Sequence, residues 1–478
     1  MLKSALLLLS GNASSSAVLF IRNLLIARLI SVEDYGIAAT FAISMGAVEM
    51  LGAIGLQHLI IQDDDGDNPK KQAGLQGFHL LRGFLSAAIL FFLSGPISRF
   101  MGVPEIAWAF QVLAIVPLVR GFVHFDIYRL QRQMEFLPLV SSALAPALVS
   151  TALVWPIYLV FPNYRVMLFA LIIQAVILAG VSHAFSKRAY RVTLDRGIMT
   201  EAISFGWPLL LNSILLFGVF QGEKIIVGRE LGMEQLALLA MGFTLTLTPT
   251  LILASSARSF FLPQLSRAKN AQHDFQYLSI VTMQSSLLNG ALLVTAIFLF
   301  GGPLVHFVLG PKYSALIPYL PWLALLNALR VFKAGCAVVA LAKAHTTNAM
   351  ISNMFRVATL PISWFALISG ADLYAVIIIA IVGEMLGYLV ALALVHYKVG
   401  VILGRMILPL ITTGVLLTYT LAQTSLEESN IPFSLPQIIG FVPVALLLIL
   451  SLYSMYEFRR YIKNHSTFIP FKQKDPNS

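Results

Sequence analysis

A chain of 478 residues that is 58% hydrophobic and only 11% charged cannot be a large soluble protein, since soluble domains usually carry about a quarter of their residues charged. The single cysteine, Cys336, excludes an intrachain disulfide and any CxxC metal or redox site, and nothing else in the sequence calls for a cofactor or a metal. The net charge of +10 would suggest nucleic acid as the partner of a soluble protein. Here the basic residues gather in alternate connections between apolar runs, so membrane lipid is the partner and nucleic acid is not.

Fourteen apolar segments of spanning length follow one another, at about 5–30, 36–61, 74–97, 105–125, 138–161, 164–185, 203–228, 233–260, 278–301, 315–342, 348–369, 373–395, 406–424 and 435–456. The fold class is therefore an all-α polytopic membrane protein of about fourteen transmembrane helices. Met1-Leu-Lys3 is expected to be the uncleaved start of the first span, because hydrophobicity continues to Ile30. Pro208 and Pro249 are expected to kink the seventh and eighth spans. Connections are short, so no extramembrane catalytic domain is expected.

Alternate connections differ sharply in Lys and Arg. The set that includes both termini holds 19, among them Lys187, Arg188, Arg191 and Arg196, and Arg459, Arg460 and Lys463. The other set holds four: Arg99, Arg165, Arg229 and Lys312. The basic side is expected to be cytoplasmic, which puts both termini in the cytoplasm.

The first span also repeats. Asn12 is followed eleven residues later by Asn23, and Asn212 by Glu223; eleven residues are close to three helical turns, so each pair shares a face. The copies end alike, Arg28-Leu-Ile-Ser-Val-Glu33 against Arg229-Glu-Leu-Gly-Met-Glu234. Six crossings separate them, which makes the halves parallel repeats. The expected division is a six-helix lobe over 1–200, a second over 201–400, and two added helices with a cytoplasmic tail over 401–478.

Nine basic residues remain inside the spans: Arg22, Arg28, Arg82, Arg120, Lys224, Arg258, Arg330, Lys333 and Arg356. Each costs about 2.5–3.5 kcal/mol at the centre of a lipid-facing helix. Arg28, Arg120 and Arg258 lie near helix ends and can snorkel. Arg22, Arg82, Arg330, Lys333 and Arg356 are deeper, and are the residues expected to line a water-filled interior and meet substrate. The deep acids are only Glu49, Glu223 and Glu384, which in the plainer reading neutralise neighbouring cations. With Asn12, Asn23, Asn212 and Lys224 they form the remaining polar or ion-paired cavity set. An interior with more Arg and Lys than acid suits an anion, and phosphate above all.

The stretches IRNLLIARLISVEDYGIAA (21–39) and SFGWPLLLNSILLFGVFQGEKIIVG (204–228) resemble the polysaccharide transporter, or oligosaccharide flippase, family of the multidrug/oligosaccharidyl-lipid/polysaccharide exporter superfamily. The resemblance implies two six-helix lobes that alternate between inward- and outward-open states around a central cavity. It implies a polyprenyl-diphosphate-linked oligosaccharide as substrate, moved across the inner membrane for lipopolysaccharide or exopolysaccharide assembly, with a polymerase or export machinery as partner. A drug or cation antiporter of the same superfamily would need a mid-membrane acid such as Glu49 or Glu384, and a lipid II flippase is a close variant. A membrane polymerase or ligase would need a sizeable periplasmic loop, and Gly301–Ser314 is small. The run Asp63-Asp64-Asp65-Gly66-Asp67 lacks the glycine and closing glutamate of a calcium loop and reads as a solvated turn. An alkaline phosphatase fusion after Ser478 should be inactive; periplasmic activity there would require an odd number of crossings.

Overall fold

The computed structural model describes residues 2–51, 55–63, 65–426 and 435–466. Among them every regular element is helical. The first twelve helices are α1 (Leu2–Leu29), α2 (Val32–Leu51), α3 (Leu56–Gln62), α4 (Pro69–Phe92), α5 (Ser94–Phe100), α6 (Ala107–Leu113), α7 (Ile115–Gly121), α8 (Asp126–Arg132), α9 (Leu137–Ala152), α10 (Val154–Val160), α11 (Arg165–Ala184) and α12 (Arg196–Glu230). They are followed by α13 (Gly232–Ala268), α14 (Gln272–Leu304), α15 (Leu320–Ala342), α16 (Thr347–Ile368), α17 (Leu373–Leu394), α18 (Ile407–Leu426), α19 (Leu435–Ser454) and α20 (Tyr456–Ser466).

Ten of the described helical stretches are long and apolar enough to cross a membrane, and twelve if each of two bent pairs is one span. One bend, of 48°, lies between Pro104–Gly121 and Asp126–Arg132; the other, of 73°, lies between Phe441–Ser454 and Tyr456–Asn464. The expected first and second spans are helical over Leu2–Leu29, Val32–Leu51 and Leu56–Gln62, but are not among these twelve. Pro208 and Pro249 lie inside helices that run on without interruption. Large apolar side chains such as Phe92, Leu159, Phe365 and Ile407 stand exposed along the spans, as a lipid-facing surface requires.

The chain divides into two compact units. The first comprises Met1–Thr244, His306–Ala315 and Leu360–Val376; the second comprises Leu245–Val305, Leu316–Thr359 and Ile377–Ser478. In the first, α9 packs against α1 and α11, and α4 against α7. Small and hydroxylated residues let α1 lie close to α9: Gly11 faces Val140, and the Ser15 hydroxyl donates to the Ala143 carbonyl at 3.1 Å. Helix α12 packs on α2, α3 and α4, so residues 201–244 go with the first unit by contact. A core of Leu56, Leu59, Ile60, Leu75, Phe78, Phe125 and Ala202 binds these elements at one end. Beside it the Lys71 ammonium donates to Asp63 at 2.5 Å and Glu201 at 2.8 Å. The Lys71 hydrogen bond holds the Asp63 carboxyl below the usual carboxylate range, so the acidic run of the sequence is partly spent on this structural bridge.

The segment His306–Ala315 closes the far end of the first unit. Lys312 Nζ donates to the Arg28 carbonyl at 2.9 Å and also to the Ile30 carbonyl, capping the C-terminus of α1. Tyr313 is fully buried with its ring edge-to-face on Tyr35, the centroids 6.4 Å apart. Gly310 turns the chain at φ +91°, and a Cβ there would also strike the Arg28 guanidinium.

In the second unit α14 packs along α15 and α18, and α18 along α19. Two hydroxyl pairs join α18 to α19: Thr413 with Ser451 at 2.8 Å and Thr412 with Ser454 at 2.9 Å. Gln284 on α14 ties both ends of this addition, donating to the Arg405 carbonyl at 3.2 Å and accepting from the Phe458 amide at 2.9 Å. Replacing Lys312 by Met keeps the aliphatic stem and removes the donors. It should lower the unfolding temperature of the purified protein by an amount equivalent to about 1 kcal/mol, while Ser314→Ala, whose hydroxyl bonds its own turn at Pro311, should leave it unchanged.

Candidate functional site: buried cations in each unit

The densest charge in the second unit lies where α15, α16 and α17 meet. Glu384 on α17 is fully buried and receives three cations: Arg330 Nε at 2.8 Å, Lys333 Nζ at 2.6 Å and Arg356 Nε at 3.4 Å. Arg330 and Lys333 come from one turn of α15, as their spacing predicts, and Arg356 comes from α16. The four side chains together carry a formal charge of +2. Asn327, a further turn back on α15, accepts from Arg330 Nη1 at 3.1 Å and donates to the Thr246 hydroxyl at 2.8 Å, which fixes the orientation of the Arg330 fork. Arg356 Nη1 donates to Thr359 Oγ1 at 3.0 Å.

Backbone proximity makes this cluster possible. Gly383 and Gly387 flank Glu384 in a small-xxx-small spacing on α17. A Cβ on Gly383 would stand 2.6 Å from Thr359 Cγ2, and one on Gly387 2.6 Å from the Ser352 carbonyl of α16. Without side chains at those positions α16 comes close enough for Arg356 to reach a carboxylate on the neighbouring helix.

The first unit keeps Arg22 buried without a carboxylate partner among the described residues. Its Nη1 donates to Gln174 Oε1 on α11 at 2.6 Å and to the Ser150 hydroxyl on α9 at 3.3 Å, while Nε has no hydrogen-bond partner among the described residues. A third group lies around Glu49 on α2. Arg120 of α7 forms an ion pair with it, His79 Nε2 bonds the Arg120 carbonyl at 2.9 Å, and Arg82 on α4 lies within electrostatic reach of Glu49.

The five expected substrate-facing cations thus divide: three meet on Glu384, Arg22 is held by neutral groups, and Arg82 stands in the Glu49 group. Of the remaining polar set, Glu223 is buried on α12, and Lys224 donates to Gln221 at 3.3 Å with its ammonium 5.3 Å from the centre of the Phe243 ring. Asn23 is half-buried, whereas Asn12 and Asn212 are exposed. Sequence reasoning did not single out Ser150, Gln174, Asn327, Gly383 or Gly387. The glycine pair alone carries a signal in one sequence, its spacing of four in an apolar helix.

Removal of one member tests the charge balance. Glu384→Gln leaves three cations without their carboxylate and should cost about 3–5 kcal/mol, read as loss of folded protein in a detergent thermal-unfolding assay. Arg356→Gln leaves Glu384 with two partners and should cost clearly less.

Comparison with known proteins agrees with this architecture. Residues 25–318 match the family model described as polysaccharide biosynthesis protein. A membrane protein of the cps region of Klebsiella pneumoniae is 20% identical over 78% of this chain and 76% of its own length. The succinoglycan biosynthesis transport protein ExoT of Rhizobium meliloti (strain 1021) is 24% identical over 63% of this chain and 61% of its own. Among solved structures, the lipid II flippase MurJ in an inward closed conformation superimposes with a TM-score of 0.69 at 13% identity, covering 95% of this chain and 98% of that one. An inward-facing multidrug resistance MATE transporter gives 0.67 at 12% identity, covering 80% and 94%. The fold is thus shared with these transporters, and the chain is a multi-pass membrane protein that belongs to the polysaccharide biosynthesis protein family, the polysaccharide transporters that its first and seventh spans resemble.

Proposed function

We propose that the protein is a flippase that carries polyprenyl-diphosphate-linked oligosaccharides from the cytoplasmic to the periplasmic leaflet of the inner membrane. The observation that carries this reading is the convergence of Arg330, Lys333 and Arg356 on the single, fully buried carboxylate of Glu384 where α15, α16 and α17 meet. A diphosphate diester is doubly charged, and an unpaired ion taken out of water is penalised by several kcal/mol. Fixed cations replace the lost hydration: Arg offers two parallel hydrogen bonds to phosphate, and Lys a compact point charge. Arg22 and Arg82 provide the corresponding charge in the first unit.

In this reading the six-helix repeats of 1–200 and 201–400 alternate between inward- and outward-open states, 401–478 adds two helices, and both termini stay in the cytoplasm. The protein makes and breaks no covalent bond. A polymerase on the periplasmic side receives the glycan. The names of the relatives, a succinoglycan transport protein and an amylovoran biosynthesis protein of Erwinia amylovora, support a polymer-forming sugar unit as cargo. A cation antiporter is disfavoured because Glu384 is engaged by three cations and Glu49 by Arg120.

Alanine at Arg22, Arg82, Arg330, Lys333 or Arg356 should reduce surface polysaccharide in a complemented deletion strain while the protein still inserts. Lysine in place of Arg330 or Arg356 should rescue only partly. Wild-type polysaccharide with normal expression in all five alanine variants would show that these charges are structural and not part of the substrate path.

A further inference from the structure

A second basic site lies away from the deep cations, at the end of the first unit that holds the basic connections. A cavity of about 210 Å³ opens between the start of α4, the corner joining α7 to α8, and the segment 186–195 that follows α11. Gln72, Gln76, His124, Arg188 and Arg191 line it. At about 30 Å³ per water it has room for a tetrahedral oxyanion.

Its walls are built and oriented. Gln76 is buried, donates to the Val123 carbonyl at 3.0 Å and to the Tyr190 oxygen at 3.2 Å, and accepts from the Phe125 amide at 2.9 Å. Arg188 Nη1 donates to Gln72 Oε1 at 2.9 Å, a neutral partner, and neither Arg188 nor Arg191 forms an ion pair among the described residues. The nearest carboxylate, Asp126, is already satisfied: it accepts from Arg129 Nε at 2.6 Å and from the Lys187 and Arg188 amides at 2.7 and 3.2 Å. Lys187 is turned outward to Glu135 at 2.6 Å.

His124 lines the same cavity. It is 2% exposed, and its Nδ1 accepts the Asp126 amide proton at 3.1 Å. The neutral ring therefore carries its proton on Nε2. Among the described residues that Nε2 makes no well-formed hydrogen bond, and the acceptor beside the ring is the neutral Arg188 carbonyl. A buried N–H donor beside two arginines that have no acid partner among the described residues suits an acceptor that carries negative charge.

We propose that this cavity is a phosphate-binding site, in which a phosphate group accepts from His124 Nε2 and from the forks of Arg188 and Arg191. The group comes either from a soluble phosphate or from the headgroup of an anionic lipid at the cytoplasmic surface. The proposal does not rest on the transport reading, since binding is measured without translocation.

The test uses purified full-length protein with two probes, inorganic phosphate in a thermal-unfolding titration and phosphatidic acid added over phosphatidylcholine in native mass spectrometry. Saturable binding of either probe is expected, weakened about tenfold in Arg188→Gln/Arg191→Gln and unchanged in Lys269→Gln, an exposed cytoplasmic control. A response to phosphate identifies a soluble ligand; a response to phosphatidic acid alone identifies a lipid. Arg191→Gln, exposed and without an ion pair, keeps the test open if the double variant fails to fold. Binding equal in wild type and Arg191→Gln, or no binding of either probe, would overturn the site.

Discussion

A charged side chain buried among apolar helices must find a partner, and the second unit is arranged around one such meeting. Glu384 holds Arg330, Lys333 and Arg356. Three helices are thereby tied at one point by interactions whose loss leaves an ion stranded in low dielectric. The small residues around the point follow from it: Gly383 and Gly387 bring α16 against α17. Gly335 likewise brings α15 against Ser286 and Met283 of α14. One carboxylate does not neutralise three cations, however, so the cluster is stable and still cationic. That combination suits a site that must persist empty and yet attract an anion.

The first unit meets the same cost differently. Arg22 is held by an amide and a hydroxyl, which satisfy hydrogen bonds and leave the charge in place. Glu49 is matched to Arg120, so that group is closer to an ordinary ion pair. Apolar packing on α2, α3, α4 and α12 supplies the cohesion of this unit, and Lys312 with Tyr313 seals its end by capping α1 and covering Tyr35. Polar contacts between spans are mostly hydroxyl and amide pairs, the type that a membrane interior tolerates because both partners are satisfied.

Much of this was legible in the sequence. Fourteen apolar runs and the scarcity of charge identify an all-helical membrane protein, and the depth of Arg22, Arg330, Lys333 and Arg356 marks them as buried. The one-turn spacing of Arg330 and Lys333 also places them together correctly. Hydropathy cannot show where a run bends, since a turn of 48° near His124 keeps the same composition as a straight helix. Nor can it tell which cation meets which acid. Arg356 and Glu384 are 28 residues apart on different helices, and only the glycine spacing on α17 hints at the close approach. The docking of residues 306–315 onto α1 is likewise invisible locally, because Lys312 reads as an ordinary loop lysine. Periodicity put Asn12 with Asn23 on one polar face and Asn212 with Glu223 on another; Asn12 and Asn212 are exposed, whereas Glu223 is buried and Ser15 and Arg22 bond to neighbouring helices.

The central claim is that the cations around Glu384 recognise a diphosphate. The most direct measurement is equilibrium binding of a polyprenyl diphosphate and of the uncharged polyprenol of equal chain length to purified protein, compared between wild type and Lys333→Met. The account predicts that the diphosphate lipid binds wild type about tenfold or more tightly than the alcohol, and that Lys333→Met narrows the gap. Equal affinity for the two lipids, or a preference that survives Lys333→Met unchanged, would contradict it.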